Sequence, residues 1–170
     1  MTGVESEVPR IHIVGRKNSG KTTLVCELVE ELIHRGFRVA TVKHTHHNHE
    51  LDTPGKDSHR HREAGAAGVG ILSPQMTAAF VPGPREAVDR YATFQTMFAD
   101  CDVILVEGDL QSDAIRIEVW RSEVSEEPYA HETEGIAAVI TDDDVAADVR
   151  VCQRTPLTGV ADLVVELAGL

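Results

Sequence analysis

The stretch Gly15-Arg16-Lys17-Asn18-Ser19-Gly20-Lys21-Thr22-Thr23 constrains this chain more than any other. It fits G-x-x-x-x-G-K-[ST], the pattern of a loop that cradles phosphate, the P-loop. Just before it, Arg10-Ile11-His12-Ile13-Val14 reads as a short buried strand. Just after it, Leu24, Val25, Leu28, Val29, Leu32 and Ile33 recur at helical spacing. A strand, a glycine-rich turn and a helix in that order commit the chain to an α/β fold.

Each residue type in the loop has a physical task. Gly15 and Gly20 let the backbone turn, so that the N–H groups of Lys17, Asn18, Ser19 and Gly20 approach phosphate oxygens. The helix start adds unpaired amides and the positive end of its dipole. Lys21 is expected to reach the β- and γ-phosphates and Thr22 to ligate Mg²⁺, with Thr23 beside them. An ordinary strand-to-helix turn does not ask for Lys-Thr at that point.

At 170 residues and 42% hydrophobic content, the chain fits one domain, expected over residues 10–170. Met1 to Pro9 is polar and acidic, so it is expected to fray and reads as neither signal nor transit peptide. No apolar run approaches the roughly 20 residues of a membrane span. A formal charge of -12 argues against non-specific binding to nucleic acid or to anionic membranes. Cys26, Cys101 and Cys152 are scattered, and read as reduced, mostly buried thiols of a cytoplasmic protein.

Further along, Phe37 to Lys43 reads as a second strand, followed by a polar loop from His44 to Gly55. Asp57-Ser58 can cap a short helix running through Ala67. Val69 to Leu72 and Thr77 to Val81 read as short strands, and about Arg85 to Ala99 as a helix. Asp102 to Gly108 holds four consecutive apolar residues bounded by acids, a buried parallel strand. Ala114 to Trp120 alternates apolar and charged residues, which predicts a strand wet on one face. Ile136 to Thr141 is another buried strand, and Thr158 to Leu167 a final helix. The alternation predicts a three-layer α/β fold, a mostly parallel central sheet flanked by helices, with ligand at the strands' C-terminal ends.

Several residues outside the loop have chemistry to offer. Glu107 ends a strand of the kind that brings an acid beside the P-loop magnesium, and Gly108 permits a tight turn after it. The segment from His44 to His49 holds four histidines in six positions. They could bind a transition metal, but a switch-like loop near the γ-phosphate is the favoured reading, with Asp52 a second candidate for Mg²⁺ or water positioning. Lys56, Arg60 and Arg62 gather cations that could neutralise phosphates, or form ordinary ion pairs on a surface helix. A carboxylate in Thr141-Asp142-Asp143-Asp144 could accept from a guanine's N1 and N2, or simply cap a helix.

Taken together, Gly15-x4-Gly20-Lys21-Thr22-Thr23, Val42-Lys43-His44-x-His46, Asp52-x-Pro54-Gly55-Lys56-Asp57-Ser58, Arg62-x-Ala64-Gly65-Ala66, Val106-Glu107-Gly108 and Val139-Ile140-Thr141-Asp142 occur in one order. That series resembles the molybdopterin-guanine dinucleotide biosynthesis adaptor family, MobB. The resemblance implies a P-loop NTPase-like fold, a homodimer, binding of GTP with Mg²⁺, and at most slow GTP hydrolysis. It also implies assistance to the molybdopterin guanylyltransferase, among other molybdenum-cofactor proteins. By matching positions, Gly20, Lys21 and Thr22 would hold phosphates and Mg²⁺, with Glu107 near the metal. Lys43, His44, His46, Lys56, Asp57, Ser58 and Arg62 would form a partner or cofactor surface, and Thr141-Asp142 would sit near the base. In one place the chain departs from the family. Gly108 is followed by Asp109-Leu110 rather than Phe-Lys, which replaces a cation with an acid and an aliphatic residue. A metal-delivery GTPase using loop 44–49 is the alternative, and a small-molecule kinase ranks below both.

Overall fold

The computed structural model describes residues 7–47, 50–82 and 91–170. Six strands form one sheet in the order β2-β5-β1-β6-β7-β8. They are β1 (Arg10–Val14), β2 (Val39–Lys43), β5 (Val103–Glu107), β6 (Ile115–Val119), β7 (Ile136–Ile140) and β8 (Arg150–Cys152). Every ladder between them is parallel. Helices α1 (Lys21–His34) and α4 (Leu157–Ala168) pack on each other and on β1. Their Leu24, Leu28, Val160 and Leu163 join Ile11, Ile13, Leu105, Ile117 and Ile140 in a core that is almost wholly buried. The α/β architecture expected from strand–helix alternation is therefore present.

The chain divides into two compact units, 1–45 with 94–170, and 46–93. The smaller holds α2 (Asp57–Glu63) and the antiparallel hairpin β3 (Val69–Leu72) and β4 (Thr77–Phe80). Helix α3 (Ala92–Met97) spans the boundary in sequence. The expected helix over 85–99 falls partly outside the described residues, as do Met1 to Ser6, Asn48 and His49. Val8 is buried, and its N–H and C=O both bond the Gln95 amide at 2.9 Å.

Three local expectations are corrected, and a further strand, β8, has no counterpart among them. Strand β6 is not wet on one face, because it lies inside the sheet between β1 and β7 and its Glu118 is only 1% exposed. Two backbone amides, those of Tyr129 and Ala130, cover that carboxylate at 2.8 and 2.9 Å. Helix α2 stops at Glu63 and has Lys56 rather than Asp57 or Ser58 as its N-cap. Strand β8 carries only Arg150-Val151-Cys152 at a sheet edge, too short for an alternation to register. Cys26 points to solvent from α1, and Cys101 and Cys152 are half-buried.

Candidate functional site

The register lines up the C-terminal ends of the strands along one edge of the sheet. Lys43 lies opposite Glu107, Ile13 opposite Glu107, Val119 opposite Ile140, and Ile140 opposite Cys152. The P-loop leaves β1 in the middle of that edge. Gly15 adopts φ 144° against the end of β6, where a side chain would collide with the Val119 carbonyl and with Ser19 Oγ, 2.8 Å away. Only glycine fits there. Asn18 takes a left-handed φ of 67°, which asparagine tolerates better than most residues. Lys17, Asn18, Thr22 and Thr23 are exposed, while Ser19 is 2% exposed and its hydroxyl is buried without a hydrogen-bond partner.

Lys21 curls back over the loop, donating to the Gly15 carbonyl at 2.9 Å and the Arg16 carbonyl at 2.7 Å. Burial pushes its ammonium below the usual lysine range; Glu107 pulls it back up and Lys43 adds to the fall. On the β5 side, Thr22 Oγ1 donates to Glu107 Oε1 at 2.8 Å, and Lys43 Nζ stands 3.4 Å from the same oxygen. A hydroxyl and a carboxylate in contact at a P-loop are the hard oxygen donors that Mg²⁺ takes. The strand-end acid and the P-loop threonine are thus adjacent in space although far apart in sequence.

The turn after Glu107 is held from beneath. His12, fully buried on β1, contacts the Gly108 carbonyl through Nδ1 at 3.3 Å and Ser112 Oγ through Nε2 at 3.2 Å. A carbonyl only accepts, so Nδ1 carries the hydrogen and Nε2 accepts from the serine. That neutral tautomer agrees with a pKa lowered chiefly by burial. The Arg116 guanidinium donates to the carbonyls of Leu110, in that turn, and of Glu134 at 2.5 and 2.6 Å. On the opposite flank Arg16 lies over the Tyr129 ring, 4.5 Å from its centre. Below it, burial raises the Glu118 carboxyl above the ordinary range, against the pull of the Tyr129 and Ala130 amides and Arg16.

Beyond the P-loop on that flank, a cavity of about 450 Å³ is bounded by Ser19, Gly20 and Thr23 on one side. Thr141, Asp142, Arg154 and Thr155 stand among its other walls. Asp142 is clasped by Thr155, whose N–H and hydroxyl each donate to a different carboxylate oxygen at 2.9 Å. Asp143 accepts from the backbone and side chain of Ser122 at 2.7 and 2.9 Å.

The family described as molybdopterin guanine dinucleotide synthesis protein B, MobB, matches residues 10–142. The chain belongs to the MobB family. It is 32% identical over 161 residues to the molybdopterin-guanine dinucleotide biosynthesis adapter protein of Haemophilus influenzae, covering 95% of this chain and 90% of that one. The adapter protein of Escherichia coli K12 is 33% identical over 162 residues, with 94% and 93% covered. Among solved structures, a molybdopterin-guanine biosynthesis protein B superposes with a TM-score of 0.67 at 27% identity, covering 95% of this chain and 99% of that one.

Asp52 is 8% exposed; its Oδ1 accepts from Thr53 N–H at 2.7 Å and Ser58 Oγ at 3.0 Å, and its Oδ2 is buried without a hydrogen-bond partner. Arg62 pairs with Glu50 at 2.6 Å, and that pair holds Glu50 below the usual carboxylate range. Lys56 and Asp57 are exposed, and Arg60 lies 3.9 Å from Asp57. In the histidine loop, His44 donates its backbone N–H to the Glu107 carbonyl at 3.0 Å, and His46 and His47 are exposed. Among the described residues no group of three His, Cys, Asp or Glu side chains is arranged to hold a metal ion; His49 lies outside them. Also among them, no helix is long and apolar enough to cross a membrane.

Sequence reasoning missed Glu27, His12, Arg154 and Thr155. Glu27 follows Thr23 by one helical turn, which was a usable signal. Arg154 and Thr155 follow an edge strand too short to announce itself.

Proposed function

We propose that this chain binds GTP with Mg²⁺ at the P-loop, hydrolyses it slowly, and acts as an adaptor in the attachment of GMP to molybdopterin. The observation that carries the reading is the contact of Thr22 with Glu107 beside Lys21. Backbone amides from Lys17 to Thr23 and the Lys21 ammonium would hold the β- and γ-phosphates. Thr22 and Glu107 would hold Mg²⁺, which when bound neutralises charge on the phosphate oxygens. Slow turnover follows because no arginine finger or water-orienting glutamine stands out in the sequence. Lys43 and His44 on the larger unit, and His46, Lys56, Asp57, Ser58 and Arg62 on the smaller, would each serve the guanylyltransferase, and the chain would act as a cytoplasmic homodimer. The names of the relatives support this adaptor role.

The test is nucleotide affinity by calorimetry, comparing GTP, GDP and ATP with Mg²⁺, on wild type and Lys21→Ala. Guanine preference, with GTP binding weakened roughly 100-fold or more by Lys21→Ala, is the expected result. Equal or tighter ATP binding would sink the guanine assignment. Rapid turnover of GTP by the isolated protein would count against the adaptor role.

A further inference from the structure

The cavity beside the P-loop holds a cation that the reading above does not use. Arg154 enters from the segment after β8, with its side chain 22% exposed. Its backbone N–H donates to the Thr141 carbonyl at 3.2 Å, which fixes it to the end of β7. Its guanidinium pairs with Glu27 of α1, one turn beyond Thr23. Both residues line the cavity together with Ser19, Gly20 and Asp142. The helix that begins at the phosphate loop therefore also anchors the arginine in the neighbouring cavity.

We propose that Arg154 is a specificity-determining residue, donating from its fork to the O6 and N7 of a guanine base held in this cavity. The inference rests on the P-loop being the phosphate site. A guanidinium has five N–H donors, so the pair with Glu27 leaves donors for a ligand. Guanine presents O6 and N7 as adjacent acceptors, the pattern that arginine reads best. Adenine puts an amino donor where O6 would be, opposite a group that can only donate. Asp142 complements this on the other edge of the base. Its two bonds from Thr155 orient the carboxylate and leave lone pairs for guanine's N1 and N2 hydrogens. Arg154 and Asp142 would together read a purine from both edges, which neither does alone.

The experiment is direct titration with GTP, ATP and inosine triphosphate in Mg²⁺, on wild type, Arg154→Ala, Arg154→Lys and Lys21→Ala. Thermal unfolding confirms that each variant is folded. Arg154→Ala is expected to lower the GTP-to-ATP affinity ratio by about 10- to 100-fold. Inosine triphosphate, which keeps O6 and N7 but lacks the 2-amino group, should weaken by the same factor as GTP. Arg154→Lys preserves the charge beside Glu27 but not the fork, and should lose most of the selectivity too. An unchanged ratio in either folded variant overturns the assignment, as does a loss confined to GTP. If wild type binds GTP through Lys21 without preferring guanine, Arg154 is not a base reader and the phosphate site stands. Wild type that binds no triphosphate, or binds it regardless of Lys21, overturns the phosphate site as well.

Discussion

On the β5 side of the P-loop, the chemistry is short-range and charged: Thr22, Glu107 and Lys43 meet within 3.4 Å. On the β6–β8 side the loop borders a cavity of about 450 Å³. Its polar groups are already braced, Asp142 by Thr155 and Arg154 by Glu27. The first flank suits a metal and phosphates, whose charge any well-placed oxygen or ammonium can recognise. The second suits a planar base, whose recognition needs donors and acceptors held in fixed directions. On the proposed reading, one loop between two such flanks would divide affinity from specificity.

That division can be broken or sharpened. The largest expected effect is from Gly15→Val, which would force a side chain into the Val119 carbonyl and Ser19 Oγ and strike both flanks at once. Its unfolding free energy in urea should fall by about 2–4 kcal/mol. A loss under about 0.5 kcal/mol, within the range of ordinary surface changes, would mean that the loop yields easily there. Next is Glu107→Gln, which keeps the shape but removes the charge beside Thr22. The gain in GTP affinity on adding Mg²⁺ should shrink roughly tenfold, with the GTP-to-ATP ratio intact. A changed ratio would show that the flanks are not independent.

The smallest effect concerns His12, which holds the turn after Glu107. Its folded pKa is lowered by burial, so between that value and the unfolded value near 6.5 the unfolded chain binds more protons. Stability should therefore fall as pH drops below about 6.5, by at most about 1.4 kcal/mol per pH unit from this group. His131 is raised, first by its bond to the Ala146 carbonyl and then by Glu127, and acts in the opposite direction. The difference between wild type and His12→Gln removes the His131 contribution. Denaturation at pH 7.5 and 5.5 should show a shallower acid loss in the variant, and parallel curves would remove His12 from the account.

Much of the β5 flank was legible in the sequence because its signals are local. Gly15, Gly20, Lys21 and Thr22 sit within eight residues, and Val103 to Val106 is an unbroken apolar run that ends in Glu107. The other flank was much less so. Asp142 could be suspected, but Arg154 and Thr155 gain meaning only when β8 brings them beside β7. Glu118 misled because an acid alternating with Ile117 and Val119 normally marks a solvated face. Two backbone amides satisfy it in the interior, and no periodicity encodes that. Cys26 misled for the converse reason, since a small thiol is tolerated on the outer face of α1.

The strand order has a consequence for how the molecule comes into being. β1 does not pair with β2, its nearest strand in the chain; it lies between β5 and β6, and β2 lies on the far side of β5. A chain emerging from the ribosome presents Gly15 to Thr23 early, yet the strands that grip β1 arrive only with Val103 to Val119. Pairings so distant in sequence form slowly. The loop is written first and assembled late, so nascent chains should be unable to capture nucleotide until well over half of the protein has been made.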